Sequence, residues 1–309
     1  MYDDRLSSDI SALDKLNLYL KQRSGKQLRP MFTLLTARAL RGFCNENSIR
    51  CAAAVEMLHT ATLLHDDVAD DSPVRRGSPT VRSLYGPNAS VLVGDFWLSR
   101  AIETIVGYCD ERVVAIFAHS LQMLAEGEMI QLEKAASLDT TEDDYIRIIY
   151  NKTAALFETA ILSAAYSVNA KDSEIESLQK YAYHVGLAFQ IMDDIFDYSP
   201  ELSLGKPTGQ DILEKKMTLP LLAMLRNVPK KSADEFVARI RNIGSDPEAD
   251  RQLTVDAVEM VRRYDGIRYS EDRMNNEISE AVKSLDILSD SEAKDYLVKL
   301  AGHMAVRTR

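Results

Sequence analysis

The chain has 309 residues, 46 % of them hydrophobic and 27 % charged, with a formal net charge of −10. That composition suits a globular protein with a large core, and the acidic balance argues against nucleic acid as a general partner. No uninterrupted run of 18 apolar residues is present, so nothing is expected to span a membrane.

The acidic start, Met1-Tyr2-Asp3-Asp4-Arg5, lacks the pattern of a signal peptide. Ile10, Leu13, Leu16 and Leu20 recur at helical spacing, and a second helical stretch runs from Leu28 to Leu40. Gly25-Lys26-Gln27-Leu28-Arg29-Pro30 joins the two and carries cations. A long helix is predicted over about 49–70, with Asp66-Asp67-Val68-Ala69-Asp70 near its C-terminal end, where helix dipoles favour cations instead. Residues 72–90 hold three prolines and two glycines and read as a loop, with Arg75 and Arg76 at its start. Helices follow at about 89–107, 111–136, 142–169 and 174–198, with Lys152 and Thr153 inside the third. The last ends in Gln190-Ile191-Met192-Asp193-Asp194-Ile195-Phe196-Asp197. A second loop, 199–211, contains Lys206, and Lys216 lies just beyond it. Shorter helices fill 215–309. No strand, repeat or linker is evident, so the expectation is one all-α domain over 1–309, a helical bundle with a central site cavity. Cys44, Cys51 and Cys109 have no metal-ligand or Cys-x-x-Cys spacing and read as reduced, buried thiols of a cytoplasmic protein.

The two Asp-Asp-x-x-Asp motifs, 127 positions apart, carry the chemistry. On a helix, positions i and i+4 share a face, so Asp66 meets Asp70 and Asp193 meets Asp197. Like charges so placed repel by about 0.2–0.5 kcal/mol even when exposed. Both clusters sit among apolar residues, which implies a cation. Carboxylates are hard ligands suited to Mg²⁺, which shares its coordination with substrate phosphates. Arginine forks and lysine point charges in the adjoining loops supply a complement for phosphate. The pattern implies a polyphosphate held by metal-loaded carboxylates and a second phosphate site made by basic side chains alone.

From about Gly25 to the C-terminus the chain resembles the trans-type isoprenyl diphosphate synthases, the polyprenyl synthetase family. The resemblance rests on Gly25-Lys26-x-x-Arg29-Pro30, on His59-Thr60-Ala61-Thr62-Leu63-Leu64-His65-Asp66-Asp67, and on the run from the first Asp motif to Arg75-Arg76-Gly77. Gly94-Asp95, Lys152-Thr153, the second Asp motif, Gly205-Lys206-Pro207-Thr208-Gly209-Gln210-Asp211 and Lys216-x-Thr218-x-Pro220 complete it. One departure is Ser24-Gly25-Lys26-Gln27, where the family commonly has Gly-Gly-Lys-Arg; Lys26 and Arg29 remain.

The resemblance implies an isoprenoid-synthase bundle, usually homodimeric, that condenses an allylic diphosphate with isopentenyl diphosphate. It implies three Mg²⁺ ions, with Mn²⁺ as a substitute, on Asp66, Asp67, Asp70, Asp193, Asp194 and Asp197. Arg75, Lys152, Thr153, Gln190, Lys206 and Lys216 match positions that contact the allylic diphosphate. Lys26, Arg29, His59 and Arg76 match the metal-free isopentenyl diphosphate pocket. The catalytic set is Asp66, Asp67, Asp70, Lys152, Asp193, Asp194 and Lys206. Each isoprene unit buried gains roughly 4 kcal/mol at about 0.8 kcal/mol per CH₂, so only a wall ends growth. Ala61 and Thr62, which flank that channel, are small; Leu58 lies one turn back, and Leu121 with Ala125 is the expected floor. A product of C30 to C50, octaprenyl diphosphate among them, is expected, with C20 as the alternative. A terpene cyclase is disfavoured because both Asp motifs are kept, as is a non-catalytic partner subunit. The loops 72–90 and 199–211 are candidate lids, and Arg307 and Arg309 candidate closing cations.

Overall fold

The computed structural model describes residues 6–23, 25–199 and 208–306. Lys206, most of the 199–211 loop, Arg307 and Arg309 lie outside the described residues. The described part is mostly helical, with one short hairpin, and groups into two compact units, each built from three stretches of chain.

The first unit comprises residues 1–119, 159–176 and 288–294. It contains α1 (Ser11–Lys21), α2 (Leu28–Arg41) and α3 (Glu46–Ala69), then α4 (Val81–Tyr85), α5 (Pro87–Ile105) and the start of α6 (Glu111–Ser137). Asn45 starts α3 with a capping box: its side chain accepts from the Ser48 amide at 2.8 Å, and Ser48 Oγ accepts from the Asn45 amide at 3.3 Å. Gly42, in the left-handed region at φ 80°, ends α2 as an unstrained cap. α3 and α5 pack along one another, and Val55, Leu58, Ala61, Val93, Trp97 and Ala101 on them are all buried. Trp97 brings one polar atom into this core and satisfies it, since Nε1 donates to Asn17 Oδ1 at 2.8 Å.

The predicted loop 72–90 is more ordered than its Gly/Pro content suggests. A hairpin pairs β1 (Val74–Arg75) with β2 (Ser78–Pro79), followed by α4. Its two-residue turn, Arg76-Gly77, has φ 51° and 75°, the geometry that matches hairpin twist. Two residues per strand are too few for an alternating pattern to show in the sequence.

The second unit comprises residues 120–158, 177–287 and 295–309. It takes the rest of α6, then α7 (Glu142–Ile149), and the portion of α9 (Asp172–Asp197) that carries the second Asp motif. α10 (Gln210–Leu213), α11 (Leu219–Asn227), α12 (Lys230–Arg241), α13 (Pro247–Arg263), α14 (Gly266–Ser284) and most of α15 (Glu292–Val306) come after it. The predicted helix 142–169 is interrupted: after α7 the chain makes one π-helical turn, Tyr150–Ala154, before α8 (Ala155–Ser167). Such single turns insert one residue into a helix and rotate the side chains beyond it to a new face. This one carries Lys152 and Thr153.

Candidate active site

The first Asp motif ends α3, with Asp70 as the C-cap. Asp67 is buried and accepts from Arg75 Nε at 2.6 Å. Burial pushes its carboxyl upward, and Arg75 pulls back against that. The hairpin explains the contact, because its tight turn folds Arg75 back towards the helix end. Thr80 Oγ1 donates to Ser72 O at 2.8 Å and pins the hairpin base.

On the same side of α3 lies a cavity of about 310 Å³, lined in part by Gly25, Glu56, His59, Asp67, Arg75 and Arg76. The Arg76 guanidinium occupies the space a Cβ on Gly25 would take, so that glycine admits the arginine. Arg29 Nη1 lies 3.2 Å from His59 Nε2. A guanidinium only donates, so Nε2 accepts and the ring is neutral. Burial holds the His59 pKa well below 6.5, and Arg29, Arg76 and Arg75 push it further down. Glu56, one turn earlier, is a buried carboxyl raised by burial and drawn back by Arg29 and Arg76. Three expected residues of the second phosphate site are thus gathered here: His59 and Arg76 line the cavity, and Arg29 bonds to His59. Lys26 is exposed and is not among the lining residues.

The second motif ends α9. Asp193 is exposed and Asp194 buried. Both Asp194 oxygens accept: Tyr145 OH donates to Oδ2 at 2.6 Å, and Gln190 Nε2 to Oδ1 at 2.8 Å. Thr153 Oγ1 donates to Gln190 Oε1 at 2.7 Å, so the π-turn and the motif share one hydrogen-bond chain. Burial raises the Asp194 pKa to about 7, with repulsion from Asp193 and Asp197 adding to it. Asp197 accepts from the Gln210 and Asp211 amides, each at 3.0 Å, which fixes α10 against the motif. Lys152 pairs with Glu128 and donates to Gln131 Oε1 at 3.0 Å. Lys216 pairs with Glu214.

The six aspartates differ in exposure and in the partners that fix them. Asp67, Asp194 and Asp197 are held by Arg75, by Tyr145 and Gln190, and by backbone amides. Asp70 and Asp193 are exposed, and Asp66 is half-buried. Among the described residues no three His, Cys, Asp or Glu side chains converge into a ready metal cage. The donor set still fits Mg²⁺, which binds through one or two carboxylates plus substrate phosphates and keeps its waters. Of the positions expected to flank a channel, Leu58 and Ala61 are fully buried and Thr62 is half-buried, its Oγ1 donating to His59 O at 2.8 Å. Leu121 is half-buried, whereas Ala125 is exposed and ends a channel only if another surface covers it.

Sequence reasoning passed over Tyr145, Glu56 and Glu128. Tyr145 and Glu128 find their partners only across helices. Glu56 had a local signal, a carboxylate three residues before His59 in an otherwise apolar helix.

The sequence pattern of the polyprenyl synthetase family matches residues 10–259. The octaprenyl diphosphate synthase of Haemophilus influenzae is 39 % identical over 298 residues, 96 % of this chain and 89 % of that protein. The crystal structure of a decaprenyl diphosphate synthase from Rhodobacter capsulatus superposes with a TM-score of 0.91 at 34 % identity, covering 100 % of this chain and 94 % of the other. A polyprenyl synthase from Caulobacter crescentus, crystallised with calcium and isoprenyl diphosphate, gives 0.88 at 35 % identity, covering 98 % and 92 %. With its pattern, its relatives and its fold in agreement along nearly the whole length, the chain belongs to the polyprenyl synthetase family.

Proposed function

We propose that the protein is a trans-prenyltransferase that joins isopentenyl diphosphate to an allylic diphosphate, head to tail and 1′-4, and repeats the step to a product of C30 to C50. The observation that carries this reading is the pair of Asp-rich helix ends, each with one buried, hydrogen-bonded carboxylate and one exposed carboxylate. The likeness to octaprenyl and decaprenyl diphosphate synthases supports the long product.

Asp66, Asp70 and Asp193 offer oxygens for Mg²⁺, with Mn²⁺ as a substitute. Three such ions, when bound, would neutralise charge building on the departing diphosphate. Arg75 holds Asp67 in place and borders the cavity. Lys152 and Lys216 have carboxylate partners, Glu128 and Glu214, which they would exchange for phosphate oxygens. Thr153 and Gln190 reach the same region through Asp194. Lys206, outside the described residues, is assigned to the allylic diphosphate on family resemblance alone. Arg29, Arg76 and neutral His59, with Lys26, form the isopentenyl diphosphate pocket. Trp97, Leu63 and Leu64 line that pocket and keep water from it. We further propose that 1–309 acts as one domain, as a homodimer, in the cytoplasm; three free thiols support a reducing compartment.

Product length is the test. Purified protein is given Mg²⁺, isopentenyl diphosphate and farnesyl diphosphate, and products are read by mass spectrometry. A series ending between C30 and C50 is expected, and Ala61→Phe should shorten it by blocking the proposed channel. A stop at C20 in the wild type would overturn the long product, and no elongation from any primer would restore the partner-subunit alternative.

A further inference from the structure

We propose that Cys51 and Cys109 form a peroxide-responsive thiol pair, closing to an intramolecular disulfide that ties the N-terminal part of α3 to the turn between α5 and α6. They lie 58 positions apart in the sequence, yet their sulfurs are 4.0 Å apart. A disulfide bond is about 2 Å long, so the sulfurs must close a gap of roughly 2 Å. The turn can supply this movement, since Val106, Gly107, Tyr108 and Asp110 around Cys109 are all exposed.

The two thiols have different surroundings. Cys51 is fully buried, and its sulfur lies 3.7 Å from Ser163 O. Cys109 is half-buried. Beside it, the Arg50 guanidinium stacks on the Tyr108 ring at 4.3 Å; its Nη atoms donate to Asn47 Oδ1 at 2.9 Å and Glu46 Oε2 at 3.1 Å, while its Nε is buried with no hydrogen-bond partner. The contact with Cys51 holds the Cys109 thiol below its ordinary value, burial opposes this and the Arg50 charge adds to it, whereas the contact with Cys109 and burial push Cys51 up. A partly exposed cysteine beside an arginine and next to a buried resolving partner is the arrangement of redox-responsive thiols. Cys44, whose thiol donates to Leu34 O at 3.3 Å, has no cysteine partner among the described residues and serves as an internal control.

The oxidant is a hydroperoxide. The Cys109 thiolate attacks one oxygen of hydrogen peroxide, forming S–O as O–O breaks, and the departing hydroxide leaves as water with the thiol proton. The Cys51 sulfur then attacks the sulfenic sulfur of Cys109, forming S–S as S–O breaks, and a second water leaves with the Cys51 proton. Two thiols and one peroxide become one disulfide and two waters, and a dithiol reductant reverses the change.

The test treats the whole reduced protein with stoichiometric hydrogen peroxide. It then counts free thiols under denaturing conditions and maps peptides by mass spectrometry. The expected result is loss of two thiols, a mass lower by two hydrogens, a peptide joining Cys51 to Cys109, and free Cys44. A raised thermal midpoint, lost on reduction, should accompany it, because the link closes a long loop in the unfolded chain. In Cys51→Ser, Cys109 should instead be trapped as a sulfenic acid by dimedone. If that variant does not fold, Cys109→Ser should leave Cys51 unoxidised under the same treatment. Sulfinic acid on Cys109 of the wild type with no cross-link, a disulfide involving Cys44, or three unchanged thiols would each overturn the proposal.

Discussion

At the scale of single residues, the site is organised by burial and by the charges that act on each group. His59 is the sharpest case, since three arginines act on it and its Nε2 serves as an acceptor. Its folded pKa lies well below the unfolded value of 6.5, so below pH 6.5 the unfolded chain binds a proton that the folded chain refuses. Stability from this residue is therefore complete above pH 6.5 and falls as the pH drops below it, by up to about 1.4 kcal/mol per pH unit. Asp194 acts in the opposite sense: its folded pKa of about 7 means the folded chain holds a proton longer, and stability falls as pH rises from the ordinary carboxyl range towards 7. Because the windows overlap, the total curve does not isolate either group, but the difference between wild type and His59→Gln does. Urea unfolding at pH 7.5 and 5.5 should show the wild type losing more stability than the variant on acidification. Equal losses would mean that His59 takes up its proton in the folded state, and the neutral acceptor role would fall.

At the scale of elements, the π-turn Tyr150–Ala154 is the device that aims Lys152 and Thr153, and two glycines make room for it. A Cβ on Gly186 would run into Cα and Cβ of Ala154, and one on Gly127 would sit 2.7 Å from Asn151 Cβ and 2.9 Å from Lys152 Cγ. Gly186→Ala should cost about 1–3 kcal/mol as an overpacked core site, with turnover falling because the turn shifts. Gly302→Ala, in α15 with nothing within 4 Å of the added carbon, is the matched control and should stabilise by about 0.5–1 kcal/mol. Steady-state kinetics with circular dichroism would check both; full turnover in Gly186→Ala would show that the π-turn does not aim Lys152. The helices themselves were legible in the sequence because apolar spacing and capping are local, and each Asp motif lies at its helix end as its flanking residues imply. The π-turn was not legible, because it depends on Gly186 meeting Ala154 across the unit. For the same reason Tyr145, 49 positions from Asp194, and Cys109, 58 from Cys51, gave no sequence signal.

At the scale of the whole molecule, α6 poses the question of what covers it. Met129 is 65 % exposed and Leu132 56 %, and Gln122, Ala125 and Ala136 are exposed with them. These positions step by three and four, a seam of period 3.5 like that of paired helices. By length and mean hydropathy the helix could also cross a membrane, although it contains no uninterrupted apolar run. The seam favours a partner helix instead, since Glu126, Glu128 and Glu133 interrupt the apolar surface and charged groups are costly in a bilayer. A second copy presenting the same seam would cover Ala125 as well as Met129 and Leu132, and would supply the surface that the proposed channel floor lacks. Homodimers of this kind bury a largely hydrophobic interface. Placing charge in it should then be decisive. Met129→Asp combined with Leu132→Asp is expected to convert a particle of twice the 34.6 kDa chain mass into one of that mass, measured by light scattering after size exclusion. Product length should change in the same variant if Ala125 forms part of the floor. A wild type that runs as a monomer would remove the dimer, whereas a dissociated variant with an unchanged product would keep the dimer and remove Ala125 from the channel.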